Sequence, residues 1–120
     1  MKIAIMTNTN KGLEAKVSSH FGRAAYLNIA NSDSLELLEI KKNLNKNFGG
    51  DLSPPKFLQN NNITILLTKE LGENAFRSLT RFGIVVYLGA DGTVKEALED
   101  YKNGKLWVAE EGDSKIIHKE

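Results

Sequence analysis

The 120-residue sequence has no cysteine. That excludes disulfides, thiolate zinc sites, cysteine-ligated iron–sulfur clusters and a cysteine nucleophile. Charge of one sign is missing too: 16 basic residues against 15 acidic ones leave a formal net charge of +1, which argues against a protein built mainly to coat nucleic acid. No apolar run approaches the ~18 residues of a membrane span. The opening run at 2–6 is too short for the core of a secretory signal, and polar residues follow it at once. A cytoplasmic location is therefore expected. Histidine is scarce, with two in the chain, and so is proline, also with two.

What is present is ordinary for one folded domain: 41% apolar and 26% charged residues over a length that buries roughly two-thirds of its unfolded surface. "KIAIM" at 2–6, "ITILL" at 63–67 and "IVVYL" at 84–88 are short apolar runs bounded by polar or turn residues, the pattern of strands covered on both faces. Between the first two, "AAYLNIAN" and "LELLEIKKN" flank the turn-forming "NSDS". Tyr26, Asn28 and Ala30 alternate with Leu27 and Ile29, which reads as a β-hairpin. Ser53 followed by Pro54 is a helix start. Leu71, Ala75, Phe76 and Leu79 fall at helical spacing, with Gly83 as a stop. Thr93 and Glu96 have the spacing of a capping box, ahead of an apolar face of Val94, Ala97, Leu98 and Tyr101. The order strand, hairpin, helix, strand, helix, strand, helix predicts a mixed α/β sandwich. The charged stretch 107–120 is expected to be peripheral.

The candidate chemistry centres on "SSHFGRAAYL" at 18–27. His20 is the one imidazole outside the tail that holds His118, and a neutral imidazole is a common metal ligand. Arg23 and the loop amides near Gly22 suit an anion. The alternative is that Phe21 anchors the loop in the core while His20 and Arg23 make ordinary structural contacts. Three further loops, 7–11, 68–74 and 89–93, are expected at the carboxyl ends of strands, where open α/β sheets bind ligands. Asn74 and Arg77 sit near the start of a helix, and capping is the preferred role for Asn74. Trp107 either packs the tail or marks a self-association surface.

No acidic residue lies on the first strand, and Glu36 and Glu39 fall on opposite sides of theirs, so a two-metal nuclease has no ligand set. No phosphate loop with a lysine and no nucleophile-elbow serine is present. A binding or carrier module is the expectation, not an enzyme.

The opening "KIAIMT…KGLEAKVS", "SSHFGRAAYL" and "LGENAFRSLTRFGIVVYLGADGTVKEALEDYKNGKL" together resemble the dinitrogenase iron–molybdenum cofactor biosynthesis family, the NifX-like proteins and the C-terminal domain of NifB, over residues 1–106. The resemblance implies a ribonuclease-H-like fold, a three-layer α/β/α domain with a mixed five-stranded sheet. It also implies a transiently bound iron–sulfur or iron–molybdenum cluster, with metallocluster donor and acceptor proteins as partners. Nothing in it calls for nucleic acid or membrane. The site it implies draws on Ser19, His20, Phe21, Gly22, Arg23, Phe48, Gly49, Gly50 and Asn74, with His20 as the metal ligand. One position departs from the pattern: where the family often has "HGG", this chain has Phe48 before Gly49 and Gly50. That departure motivates a second reading, a small regulatory or interaction domain that binds a protein partner or small anion without metal.

Overall fold

A computed structural model describes residues 1–43, 53–113 and 115–117. The three apolar runs form β1 (Lys2–Thr7), β4 (Ile63–Leu67) and β6 (Val85–Leu88), which are parallel and adjacent at the centre of the sheet. The hairpin is β2 (Tyr26–Asn31) and β3 (Leu37–Lys42), with β2 antiparallel to β1 at Ile5↔Asn28 and Met6↔Leu27. Asn31 builds its turn by accepting from the Asp33 and Ser34 amides at 2.7 and 3.0 Å.

Three helices cover the sheet: α1 (Pro54–Asn60), α2 (Glu73–Arg81) and α3 (Val94–Lys102). Leu58 and Leu79, from α1 and α2, join Ala4, Met6, Leu27 and Leu66 in one core. Val94, Ala97 and Leu98 of α3 join Ile3, Ile5, Ile65 and Leu67 in a second core on the opposite face. Alternation along β1 feeds both cores. The domain is therefore the expected α/β/α sandwich.

Its sheet has six strands and not five, in the order β3-β2-β1-β4-β6-β7. The sixth, β7 (Trp107–Val108), is antiparallel to β6. Two residues, both exposed, are too short to leave an alternating pattern in the sequence. A separate parallel pair joins β5 (Leu71–Gly72) to β8 (Ile116–Ile117).

Both additions alter the reading of the C-terminal stretch. β7 lies on the sheet edge, but Ala109 and Ile116 are buried in the same core as Leu66 and Leu79. Leu71 falls at helical spacing with Ala75, Phe76 and Leu79. It is instead a strand residue, because its amide donates to the Lys115 carbonyl at 3.0 Å. Among the described residues, no helix is long and apolar enough to cross a membrane.

Candidate functional site

The loop between β1 and β2 is fixed backbone by backbone. The Ser18 amide donates to the Met6 carbonyl at 2.8 Å, and the Val17 amide to the Gly92 carbonyl at 2.8 Å. The buried Ser18 hydroxyl accepts from the His20 amide at 3.1 Å. A single 3₁₀ turn follows over Phe21–Arg23, closed by the Arg23 amide on the His20 carbonyl at 3.1 Å. Phe21 drives that turn into the core, where it is 6% exposed. Its neighbours Ser19, His20 and Arg23 are exposed. The loop is thus anchored through its aromatic ring and presents its polar side chains outward.

From the other side, Asn43 at the end of the hairpin clips the same loop. Its amide donates to Ala25 O at 2.8 Å and its side chain to Ala24 O at 2.9 Å. Gly22 allows a close approach, but what approaches is protein: a Cβ there would lie 3.2 Å from Pro54 Cγ, at the start of α1.

These contacts make one side of a cleft of about 790 Å³, within the range of small-ligand sites. Ser19 to Arg23 and Ser53 to Pro55 line it on that side, and Glu70 to Ala75, Arg77 and Ser78 line it opposite. The opposite wall comes from the segment after β4 and the first turns of α2. All of it lies at the carboxyl ends of the parallel strands.

Of the expected site residues, the structure brings Ser19, His20, Phe21, Gly22, Arg23 and Asn74 together around this cleft. Phe48, Gly49 and Gly50 lie outside the described residues, as does His118. Of the three loops expected at the strand ends, 68–74 contributes lining residues and 7–11 and 89–93 do not. The 89–93 loop packs elsewhere: Trp107 lies so close over Gly89 that a Cβ would meet its ring at 2.5 Å.

Asn74 does not cap α2. The cap is Gly72, which supplies no side-chain hydrogen bond, and Asn74 is the second helical residue, exposed on the cleft wall. Sequence reasoning missed Asn43 and Ser18 as loop clips, because a buried Asn or Ser that pins a distant carbonyl leaves no local pattern. The Ser53–Pro54 helix start was the available signal for the part of the cleft that α1 lines. Ser53 does cap α1, accepting from the Lys56 amide at 3.3 Å.

The charges in the cleft are mixed. Arg77 pairs with Glu73, four residues back on the same helix, and approaches Glu111 at 3.8 Å. Arg23 makes no ion pair among the described residues, so its guanidinium is available to an anion. The positive end of the α2 dipole adds to it. The described residues contain no cluster of three or more His, Asp or Glu side chains able to hold a metal ion. The cleft thus presents one imidazole, His20, and one guanidinium without an ion pair among the described residues, Arg23.

The fold recurs in solved structures. The apo form of the orange protein from Desulfovibrio gigas superposes with a TM-score of 0.78 at 24% identity, over 90% of this chain and 92% of that one. A candidate NifB protein from Thermotoga superposes with a TM-score of 0.73 at 29% identity, over 92% of this chain and 98% of that one. A candidate dinitrogenase protein from Methanocaldococcus jannaschii gives 0.65 at 22% identity, over 91% and 94%. The first and third of these speak to the fold alone. Among curated proteins, none matches the sequence. The family model described as dinitrogenase iron–molybdenum cofactor matches residues 1–104. The chain belongs to that family, and with it to the proteins involved in iron–molybdenum cofactor biosynthesis or binding.

Proposed function

We propose that this protein is a non-enzymatic carrier which binds an iron–sulfur or iron–molybdenum cofactor, or a precursor of one, as cargo in the cleft and passes it to an acceptor protein. The observation that carries the reading is an exposed imidazole, His20, beside Arg23, which makes no ion pair among the described residues, on a turn locked by Phe21. Neutral imidazole ligates one metal of the cargo. The guanidinium donates charge-assisted hydrogen bonds to its sulfide or oxo face. A single protein ligand in an open cleft holds the cargo weakly enough to release it. Ser19 and Asn74 supply neutral polar contacts on the two walls.

Anaerobic incubation with ferrous iron and sulfide, followed by gel filtration and metal analysis, tests this. Wild-type protein is expected to retain metal, His20→Ala to lose most of it, and Arg23→Gln to bind about tenfold more weakly, as the loss of one charge-assisted contact implies. Metal at background in the wild type, or full retention by His20→Ala, overturns the proposal.

The absence of a three-ligand cluster among the described residues favours a second reading, in which Arg23 binds a small organic anion or an acidic partner without metal. Co-purification of a stoichiometric partner with no metal supports that reading, and stoichiometric cluster uptake by the isolated protein removes it.

A further inference from the structure

The wall of the cleft formed by β5 and α2 is held by the opposite end of the chain. After β7 the backbone turns over 110–113 and returns as β8 beside β5, with Leu71 opposite Ile116. Asp113 ties the two arms of that turn. One of its carboxylate oxygens accepts from the Trp107 indole N–H at 2.8 Å, and the other accepts from the Lys115 amide at 3.0 Å. Lys115 then offers its carbonyl to the Leu71 amide at 3.0 Å, and Ile116, 3% exposed, packs beside Leu71, 2% exposed. Leu71 lines the cleft and is followed by Gly72, the cap of α2, whose first turns form the wall.

The chain thus runs in hydrogen-bonded steps from Trp107 through Asp113 and Lys115 to the cleft. All three lie beyond residue 104, where the family match ends. We infer that the C-terminal segment is a strap that sets the position of the β5–α2 wall, and that Asp113 is its positioning residue, acting on the cleft through Lys115 and Leu71. The consequence for cargo rests on the carrier reading above: a loosened wall no longer holds Asn74 and Arg77 across from His20 and Arg23, so uptake falls although no cleft side chain has changed.

Two variants test it. Asp113→Ala removes both side-chain hydrogen bonds of the clasp, and Trp107→Phe removes the indole donor while leaving the bond between Asp113 and the Lys115 amide in place. Amide exchange by NMR is read on protein without cargo. Asp113→Ala is expected to speed exchange of the Leu71 amide about tenfold, Trp107→Phe to do so less, and the amides of β1 and β4 to stay as in wild type. Unchanged exchange at Leu71 overturns the strap. So does a uniform rise across β1 and β4, which marks general destabilisation. Uptake from ferrous iron and sulfide is then compared where the wild type binds. A loss of threefold or more in Asp113→Ala supports the strap as a determinant of the site, and unchanged uptake with a loosened Leu71 overturns it. If the wild type takes up no cluster, the carrier reading fails, and the exchange contrast alone decides the strap.

Discussion

Phe21 and His20 are neighbours in the chain with opposite environments, and their variants separate packing from chemistry. Phe21 is 6% exposed within the core under α1 and α2. Phe21→Ala is expected to cost about 3–4 kcal/mol in urea unfolding, because a buried ring leaves both lost burial and a cavity. His20→Ala, at an exposed position, should stay within about 0.5 kcal/mol of wild type. A loss of metal uptake in His20→Ala at unchanged stability then belongs to the ligand and not to the fold. Gly89 offers a second contrast. Its φ of +92° and the 2.5 Å approach of the Trp107 ring leave no room for a methyl group. Gly89→Ala should destabilise by about 1–3 kcal/mol and shift the emission of Trp107, the chain's single tryptophan. The reading of Phe21 as an anchor was open to sequence because "HFGR" puts one apolar residue among polar ones. The pressure of Trp107 on Gly89 was not, since it joins the end of the inner strand β6 to the edge strand β7, two positions with no shared period.

At the scale of elements, α3 was the most legible. Thr93 accepts from the Glu96 amide at 3.2 Å and Glu96 returns to the Thr93 amide at 3.0 Å, the reciprocal pair that its spacing predicts. Thr93→Ala should lose about 1 kcal/mol in chemical denaturation. The same helix carries a pH effect. Tyr101 meets Tyr87 of β6 edge to face, with centroids 5.1 Å apart. Burial, with smaller contributions from Tyr87 and Asp33, raises the Tyr101 pKa above its ordinary value of 10.0. In the unfolded chain the phenol ionises first, so the unfolded state binds fewer protons at high pH and stability falls as pH rises. The urea midpoint should drop as pH climbs through and above 10, and Tyr101→Phe should show a shallower fall. The start of α2 was less legible for a definite reason. Leu71 has the spacing of a helical residue, but its amide is taken by Lys115 from the far end of the chain, and only a long-range pairing can convert a helix start into a strand. Asn74, read as a cap, falls inside the first turn because the helix already begins at Glu73, with Gly72 as its cap.

At the scale of the whole molecule, the two cores share one sheet, and β1 alternates its side chains between them, Ile3 and Ile5 on one face and Ala4 and Met6 on the other. Neither layer can be lost without exposing the back of the other. The C-terminal stretch belongs to this unit: its charged composition pointed to the periphery, but two apolar residues, Ala109 and Ile116, tie it to the core that also holds Leu66 and Leu79. Isolated apolar residues in a charged background carry almost no periodic signal, which is why this part of the fold was not readable in advance. The cleft was legible on both walls as residues, His20 and Arg23 on one and Asn74 with the loop 68–74 on the other, but not in how the second wall is held, which depends on the same C-terminal pairing. A domain joined in this way should unfold in one step. Trp107, placed in the strap, reports the C-terminal stretch, and far-ultraviolet circular dichroism reports the helices and sheet. The two urea transitions are expected to coincide within error. A Trp107 transition at clearly lower urea would show that the strap parts from the sheet before the cores open, and would return the C-terminal stretch to the periphery that its charge first suggested.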